Sequence, residues 1–173
     1  DTSAWLHRLR DERRVLVPET GELVTAAPDF RLAVTANTLG QGDDTGAYRG
    51  TKAQNLALLD GFTVIKVGYM DADDEHDVVM KSLGQNGNPT MAQAIGVMRQ
   101  VAEGVRKNFE EGSMDITVTT RTMIRWAALA SGLAPIYGSK SVLEGARFAF
   151  LNRANETDAR TIETLIEAAI SSV

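Results

Sequence analysis

The sequence predicts an α/β region followed by an all-helical region, and two observations support this fold class. Two apolar runs, at residues 30–36 and 62–67, show little alternation of polar and apolar residues. Such runs are typical of strands buried on both faces of a parallel sheet. After Gly68 the β pattern ends, and apolar residues recur at helical spacing. We therefore expect a partial α/β core over 1–68 and a helical domain over 69–173.

Asn37 follows the first apolar run directly and precedes a glycine-rich stretch. Ligands of open α/β sheets bind just outside the carboxyl ends of the strands, so an amide here is well placed to orient water or a phosphate oxygen. The alternative is that Asn37 caps the turn that follows. Spacing alone leaves both interpretations open.

The other elements of the first region are short. Apolar side chains from Trp5 to Leu9 have helical spacing and predict the end of a helix. A β-hairpin is predicted where the apolar residues of 15–17 and 22–24 flank a turn of about four residues. Residues 51–59 predict a short helix between the two apolar runs.

Five segments of the second region show the apolar periodicity of amphipathic helices: 71–83, 90–110, 119–131, 139–151 and 156–170. Thr90 and Asn155 are predicted to cap helix starts, and helices are predicted to end at Gly84, Gly112 and Gly132.

The charge of the chain argues against nucleic acid as a partner. The 173 residues include 43% apolar residues, enough for a core, and carry a net charge of −5 with both signs mixed. Arg8, Arg10, Arg13 and Arg14 form either a local basic patch or a solvated helix face.

The cysteine content and the hydropathy of the chain exclude further kinds of site and segment. Without cysteine the chain has no disulfides, thiolate metal sites or thiol nucleophiles. No apolar stretch approaches the roughly 20 residues that cross a bilayer, and the sequence shows no signal pattern. We therefore expect a cytoplasmic protein with no membrane partner.

Four blocks resemble, in the same order and over nearly the whole chain, the AAA+ ATPases of the MoxR type: 38–51, 54–62, 119–127 and 148–153. Within that group the match is to the small ATPase subunits of aerobic cobaltochelatases. The resemblance implies an α/β fold that is the carboxyl-terminal part of a AAA+ P-loop NTPase core, with a β-hairpin and the sensor-1 strand, followed by an all-helical lid. It also implies a motor that couples ATP hydrolysis to cobalt insertion into a corrin ring.

The same resemblance implies partners and cofactors. The family forms homo-oligomeric rings, hexamers by resemblance, which act with an adhesion-domain subunit and a large chelatase subunit. ATP and Mg²⁺ are expected in the complete protein, and neither is expected to bind tightly to this chain alone. Two alternatives stay open: a MoxR-type remodelling chaperone ATPase, of cellular or phage origin, that acts on another client, and a non-catalytic interaction module.

Arg121 is the main candidate for nucleotide chemistry. Thr119-Thr120-Arg121 opens a predicted helix, where free backbone amides and the helix dipole favour anions and a guanidinium adds donors for phosphate oxygens. The resemblance assigns Arg121 to sensor 2 and Asn37 to sensor 1, both as catalytic candidates. Arg125, one turn on, is a second candidate for nucleotide binding. The alternative is an exposed first-turn arginine without function.

Gly61 departs from the family pattern. The family has an arginine at this position, followed by an aromatic residue, and that arginine is a finger for the neighbouring subunit's ATP site. An arginine finger raises the rate of hydrolysis by on the order of a thousandfold. The neighbouring subunit's ATP site is therefore predicted to be impaired unless another cation replaces the missing arginine. Arg49 is either that cation or a solvated loop residue.

The remaining polar clusters predict no metal site. Asp43 and Asp44 are interpreted as turn formers, and the acidic run 71–77 as residues that the helix dipole favours. The histidines His7 and His76 are isolated. Three aromatic side chains are predicted to pack in the helical core: Trp126, Phe148 and Phe150.

The nucleotide-binding motifs of a P-loop ATPase are missing from this sequence. No segment fits Gly-x-x-x-x-Gly-Lys-Ser/Thr, and no apolar strand ends in Asp-Glu to hold magnesium. In the family both elements precede the hairpin, so the chain resembles the carboxyl-terminal half of a longer protein.

We predict that this chain alone does not hydrolyse ATP, because it lacks the groups that hold the β- and γ-phosphates and magnesium. Steady-state phosphate release by the purified chain is the measurement. Turnover at the rate of ordinary AAA+ enzymes, lost in Arg121→Ala, would contradict the prediction.

Overall fold

The computed structural model of the protein describes residues 2–36, 60–85 and 88–172. The chain divides into two compact units, 1–66 and 67–173. Each unit is built around different elements, a hairpin in the first and a helical bundle in the second.

The predicted hairpin of the first unit is confirmed. Helix α1 (Thr2–Asp11) precedes strands β1 (Arg14–Val17) and β2 (Glu22–Thr25), which pair in antiparallel register. The turn closes with a hydrogen bond of 2.8 Å from the Gly21 amide to the Val17 carbonyl. Gly21 has φ of +68°, which a glycine adopts without the strain that a side chain would bring. Trp5 of α1 is 44% exposed.

The two buried strands predicted at 30–36 and 62–67 are not found, so this prediction was wrong for the described residues. Both segments lack regular secondary structure. Val34 is 54% exposed and Ile65 80% exposed. A parallel strand is held by backbone hydrogen bonds to neighbouring strands, and β1 and β2 are the only paired strands in the described part of the chain. Asn37 lies outside the described residues.

All five helices predicted for the second unit are confirmed: α2 (Ala72–Ser82), α3 (Pro89–Glu110), α4 (Thr120–Tyr137), α5 (Ser141–Ala149) and α6 (Glu156–Ser171). Single turns of 3₁₀ helix precede and follow α5, at Gly138–Lys140 and Leu151–Arg153. None of the helices in the described residues is long and apolar enough to cross a membrane.

Several predicted helix ends are also confirmed. The Asn155 side chain caps α6 by accepting a hydrogen bond of 2.8 Å from the Asp158 amide. Gly84 and Gly112 follow α2 and α3 with φ of +64° and +73°, the left-handed conformation that ends many helices.

Two predicted helix ends were wrong. Helix α3 is capped by Asn88 rather than Thr90, since the Asn88 side chain accepts from two first-turn amides and Pro89 fits the first helical position. Helix α4 does not stop at Gly132 but continues to Tyr137. A helical glycine costs only about 1 kcal/mol, which the packing of α4 offsets.

The core of the helical unit surrounds Trp126 of α4. Its side chain is fully buried, meets Phe150 edge-on with ring centroids 5.3 Å apart, and donates to the Val142 carbonyl at 2.7 Å. These two aromatic predictions are confirmed. Phe148 is 57% exposed, so its predicted core position was wrong: the buried face of α5 consists mainly of small residues.

Helices α4 and α5 approach each other closely at Gly145. A Cβ atom placed on Gly145 would lie 2.9 Å from the backbone nitrogen of Ala130 and 3.0 Å from its Cα. Backbone atoms cannot move aside as a flexible side chain can, so the helices would have to separate.

We predict that Gly145→Ala lowers the free energy of unfolding by about 1–3 kcal/mol, because overpacking outweighs the gain in helix propensity. The control is Gly132→Ala, since nothing lies within 4 Å of a Cβ there. That variant should stabilise the protein by about 0.5–1 kcal/mol. Urea denaturation measures both, and a Gly145→Ala protein as stable as Gly132→Ala would contradict the packing argument.

Candidate functional site

The amino end of α4 presents the arginines that the sequence singled out. Thr119 is the cap residue, and its hydroxyl accepts from the Thr122 amide at 3.3 Å. The remaining first-turn amides and the helix dipole favour a bound anion. Arg121 and Arg125 are both exposed, and in the described part of the chain neither has a hydrogen bond or an ion pair.

A buried ion pair lies behind this helix end. Glu75 of α2 is 1% exposed and Arg106 of α3 is 7% exposed. The guanidinium donates to both carboxylate oxygens, at 2.9 and 2.8 Å. This two-bond geometry satisfies charges that would otherwise be costly to bury.

The ion pair reaches the chain that leads into α4. Arg106 Nε donates to the Val118 carbonyl at 2.7 Å, and the Thr120 hydroxyl donates to Glu75 Oε1 at 2.6 Å. The pair therefore joins α2, α3 and the start of α4, one residue before Arg121.

Tyr69 covers the ion pair on its outer side. The Arg106 Cζ atom lies 4.3 Å from the centroid of the Tyr69 ring, a cation–π contact. The phenol oxygen is 2.7 Å from the Thr117 hydroxyl. Tyr69 is 40% exposed, so it stands between the guanidinium and solvent.

The charge state of Glu75 depends on this surrounding. Burial is the largest single influence and raises the pKa of Glu75, but three opposing effects outweigh it. The hydrogen bonds from Arg106 and Thr120 and the positive charge of Arg106 together hold the pKa below its ordinary value of 4.5. Glu75 is therefore ionised at neutral pH.

Sequence reasoning missed this buried pair. The sequence places Glu75 in an acidic run that the helix dipole favours. That interpretation fits Asp71, whose side chain caps α2. The helical period held the signal: Glu75 lies four residues before the buried Val79, and Arg106 four residues after the buried Ala102.

In the first unit, a cation lies against Gly61. A Cβ atom at this position would overlap the Arg10 guanidinium, which lies 5.9 Å from the centroid of the Phe62 ring. A hydrogen bond with Asp11 is the main cause of the raised pKa of Arg10. Any side chain at position 61 would have to displace this guanidinium.

Several candidates from the sequence lie outside the described residues: Asn37, Asp43, Asp44 and Arg49. The sensor-1 assignment of Asn37 therefore stays a prediction. Among the residues that the structure does describe, no group of three or more His, Cys, Asp or Glu side chains is arranged to hold a metal ion.

These observations define a helical unit in which two exposed arginines lie near the amino end of α4. Over 151 residues, 87% of its length, the chain is 30% identical to the aerobic cobaltochelatase subunit CobS of a Sinorhizobium species. This identity supports a relationship to the AAA+ ATPases of the MoxR type at the level of the family. The chain covers 44% of the length of CobS.

Uncharacterized staphylococcal proteins are also similar over 96 residues. The chain is 38% identical to one from Staphylococcus saprophyticus and to one from Staphylococcus haemolyticus, and covers 33% and 34% of their lengths. The chain thus spans less than half of each of these relatives. No protein-family profile matches it.

We predict that Glu75→Gln lowers the free energy of unfolding by about 3–5 kcal/mol, because Arg106 would be left as a buried charge without its counterion. The control is Glu163→Gln, which breaks the partly exposed pair with Arg147. That change should cost at most about 1 kcal/mol. Equal losses in the two variants would show that the buried pair has no special weight.

The contribution of Glu75 to folding stability depends on pH. Because the pKa of Glu75 is lowered on folding, its contribution is fully present above its unfolded pKa, near 4.5, and is lost as pH falls through the lower folded value. The difference in stability between wild type and Glu75→Gln should therefore shrink below that pH. Urea titrations at a series of pH values measure this difference.

Proposed function

We propose that the chain is part of a AAA+ ATPase subunit of the MoxR type that binds ATP and Mg²⁺ in the complete protein. The observation that carries the proposal is Arg121, exposed on a helix end that a buried ion pair holds in place. The identity to CobS over 87% of the chain supports the same assignment.

Arg121 would act on the γ-phosphate of the nucleotide. A guanidinium can donate two parallel hydrogen bonds to phosphate oxygens, and the amides of the same helix end add to the positive potential. Because hydrogen bonds of Val118 and Thr120 with the ion pair hold the helix end without a ligand, little reorganisation would be needed as charge develops during hydrolysis. Arg125, one turn along α4, would add a second positive charge near the phosphates.

The rest of the nucleotide site belongs, in this proposal, to parts of the complete protein that the sequence lacks. We assign 1–68 to the end of a AAA+ core and 69–173 to its helical lid, with Asn37 as the first sensor. The apolar side chains of Val64 and Ile65 are exposed, as expected of a surface that other parts of the complete protein would cover. The chain spans 44% of the length of CobS, which leaves room for a phosphate-binding loop and an Asp-Glu strand.

We further propose that the motor works in the cytoplasm as a homo-oligomeric ring, with cobalt and a corrin ring as substrates of its complex. The relative is named as one subunit of aerobic cobaltochelatase. An adhesion-domain subunit and a large chelatase subunit would be its partners. The metal insertion itself would take place on those partners, and this chain would supply the response to ATP.

We predict that Arg121→Ala in the complete protein lowers ATP hydrolysis about ten- to a hundredfold, as expected for loss of a charged hydrogen bond of roughly 1.5–3 kcal/mol. Phosphate release and equilibrium nucleotide binding are the measurements. Arg160→Ala is the control, since Arg160 is exposed on α6 in a surface ion pair with Glu156. Hydrolysis unaffected by Arg121→Ala would refute the sensor assignment.

A second measurement distinguishes between the two candidate functions, cobalt insertion and the remodelling of another client. Hydrolysis that is stimulated by the other chelatase subunits together with a corrin would support cobalt insertion. Hydrolysis that depends on Arg121 but does not respond to those subunits would remove the chelatase assignment and favour a remodelling ATPase.

A further inference from the structure

Each of the four residues before Arg121 makes its own hydrogen bond through a side chain or carbonyl. These bonds join Thr117 to Tyr69 at 2.7 Å, Val118 to Arg106 at 2.7 Å, Thr119 to Thr122 at 3.3 Å and Thr120 to Glu75 at 2.6 Å. Three of the four partners belong to one assembly, in which Tyr69 stacks on Arg106 and Arg106 pairs with Glu75. The approach to Arg121 is therefore fixed residue by residue.

Tyr69 is the outermost member of this assembly. It is 40% exposed, whereas Arg106 and Glu75 are 7% and 1% exposed. Its ring shields the ion pair from water, and its hydroxyl holds Thr117. If Tyr69 moved away, the guanidinium would gain water, and its hydrogen bond to the Val118 carbonyl would weaken.

Tyr69 lies in the short segment at which the helical unit begins. We call residues 67–71 the leading segment: the unit starts at Val67, and Asp71 caps α2. Tyr69 is thus the third residue of the helical unit.

We propose that Tyr69 is a positioning residue for the phosphate site at Arg121, acting through Arg106 and Thr117. With Tyr69 in place, the amino end of α4 is held for phosphate; with Tyr69 withdrawn, it loosens and binds phosphate less well. By linkage, a phosphate bound at Arg121 favours the arrangement of the leading segment that keeps Tyr69 in contact. This inference rests on the proposed function, in which Arg121 binds nucleotide.

A positioning role differs measurably from simple packing. If Tyr69 only contributes to stability, its replacement changes nucleotide affinity by the same factor whether or not Arg121 is present. If it acts on the Arg121 site, the effect on affinity disappears once Arg121 is removed. A double-mutant cycle separates the two.

The experiment measures the Kd for ATP of the complete protein as wild type, Tyr69→Leu, Arg121→Ala and the double variant. Loss of the cation–π contact and one hydrogen bond predicts a Kd about tenfold higher for Tyr69→Leu. The double variant should bind within about twofold of Arg121→Ala. Tyr69→Phe keeps the ring on Arg106 and loses only the Thr117 bond, so its Kd should rise by less than that of Tyr69→Leu.

The matched control is Tyr137→Leu at the opposite end of α4. Tyr137 is 43% exposed, close to the value for Tyr69, and it has no hydrogen bond or ring contact with the ion pair. Its replacement should leave the Kd for ATP within about twofold of wild type. Amide hydrogen exchange without nucleotide should become faster at 119–122 in Tyr69→Leu and Tyr69→Phe but not in the control.

Two failures are distinguishable. An Arg121→Ala protein with unchanged ATP hydrolysis and unchanged Kd would overturn the proposed function and this inference with it, whereas an unchanged Kd with reduced hydrolysis would overturn this inference alone. A Kd that rises in Arg121→Ala, combined with a Tyr69→Leu effect that persists in full in the double variant, would overturn the positioning role alone. Unchanged amide exchange at 119–122 in both Tyr69 variants would also overturn it, whatever the nucleotide affinity.

Discussion

The helical unit depends on the ion pair between Glu75 and Arg106. Burying two charges is favourable only when nearly every hydrogen-bonding group of both finds a partner. Here the guanidinium uses three of its nitrogens on Glu75 and the Val118 carbonyl, and Thr120 supplies a further donor to the carboxylate. No buried side-chain polar atom of the described residues lacks a partner. The ends of α2, α3 and α4 are consequently fixed by one set of bonds.

The two units differ in how far their apolar side chains are buried. The helical unit buries its own apolar faces around Trp126, and its core consists of residues within 67–173. In the first unit the apolar side chains of the runs at 30–36 and 62–67 are largely exposed. Apolar composition favours a strand, but a strand forms only when another strand satisfies its backbone.

Sequence reasoning succeeded where the signal is local. Helical periodicity, the Asn155 cap and the position of Arg121 in the first turn of a helix can all be inferred from residues within a few positions of each other. The pairing of Glu75 with Arg106 could not, because the partners lie 31 residues apart and either side chain alone resembles a solvated charge. The exposed position of Phe148 likewise depends on which face of α5 packs against α4. That choice is made by the close approach of Gly145 to Ala130 rather than by propensity.

The two tryptophans of the chain are divided between the two units, and this gives each unit its own optical reporter. Trp5 is partly exposed on α1, whereas Trp126 is fully buried in the helical core. Indole emission is sensitive to solvent, so the two residues emit from different environments. A Trp5→Phe protein would report the unfolding of the helical unit alone through its fluorescence. Comparison of that transition with circular dichroism, a probe of both units, would show whether the units unfold cooperatively or one after the other.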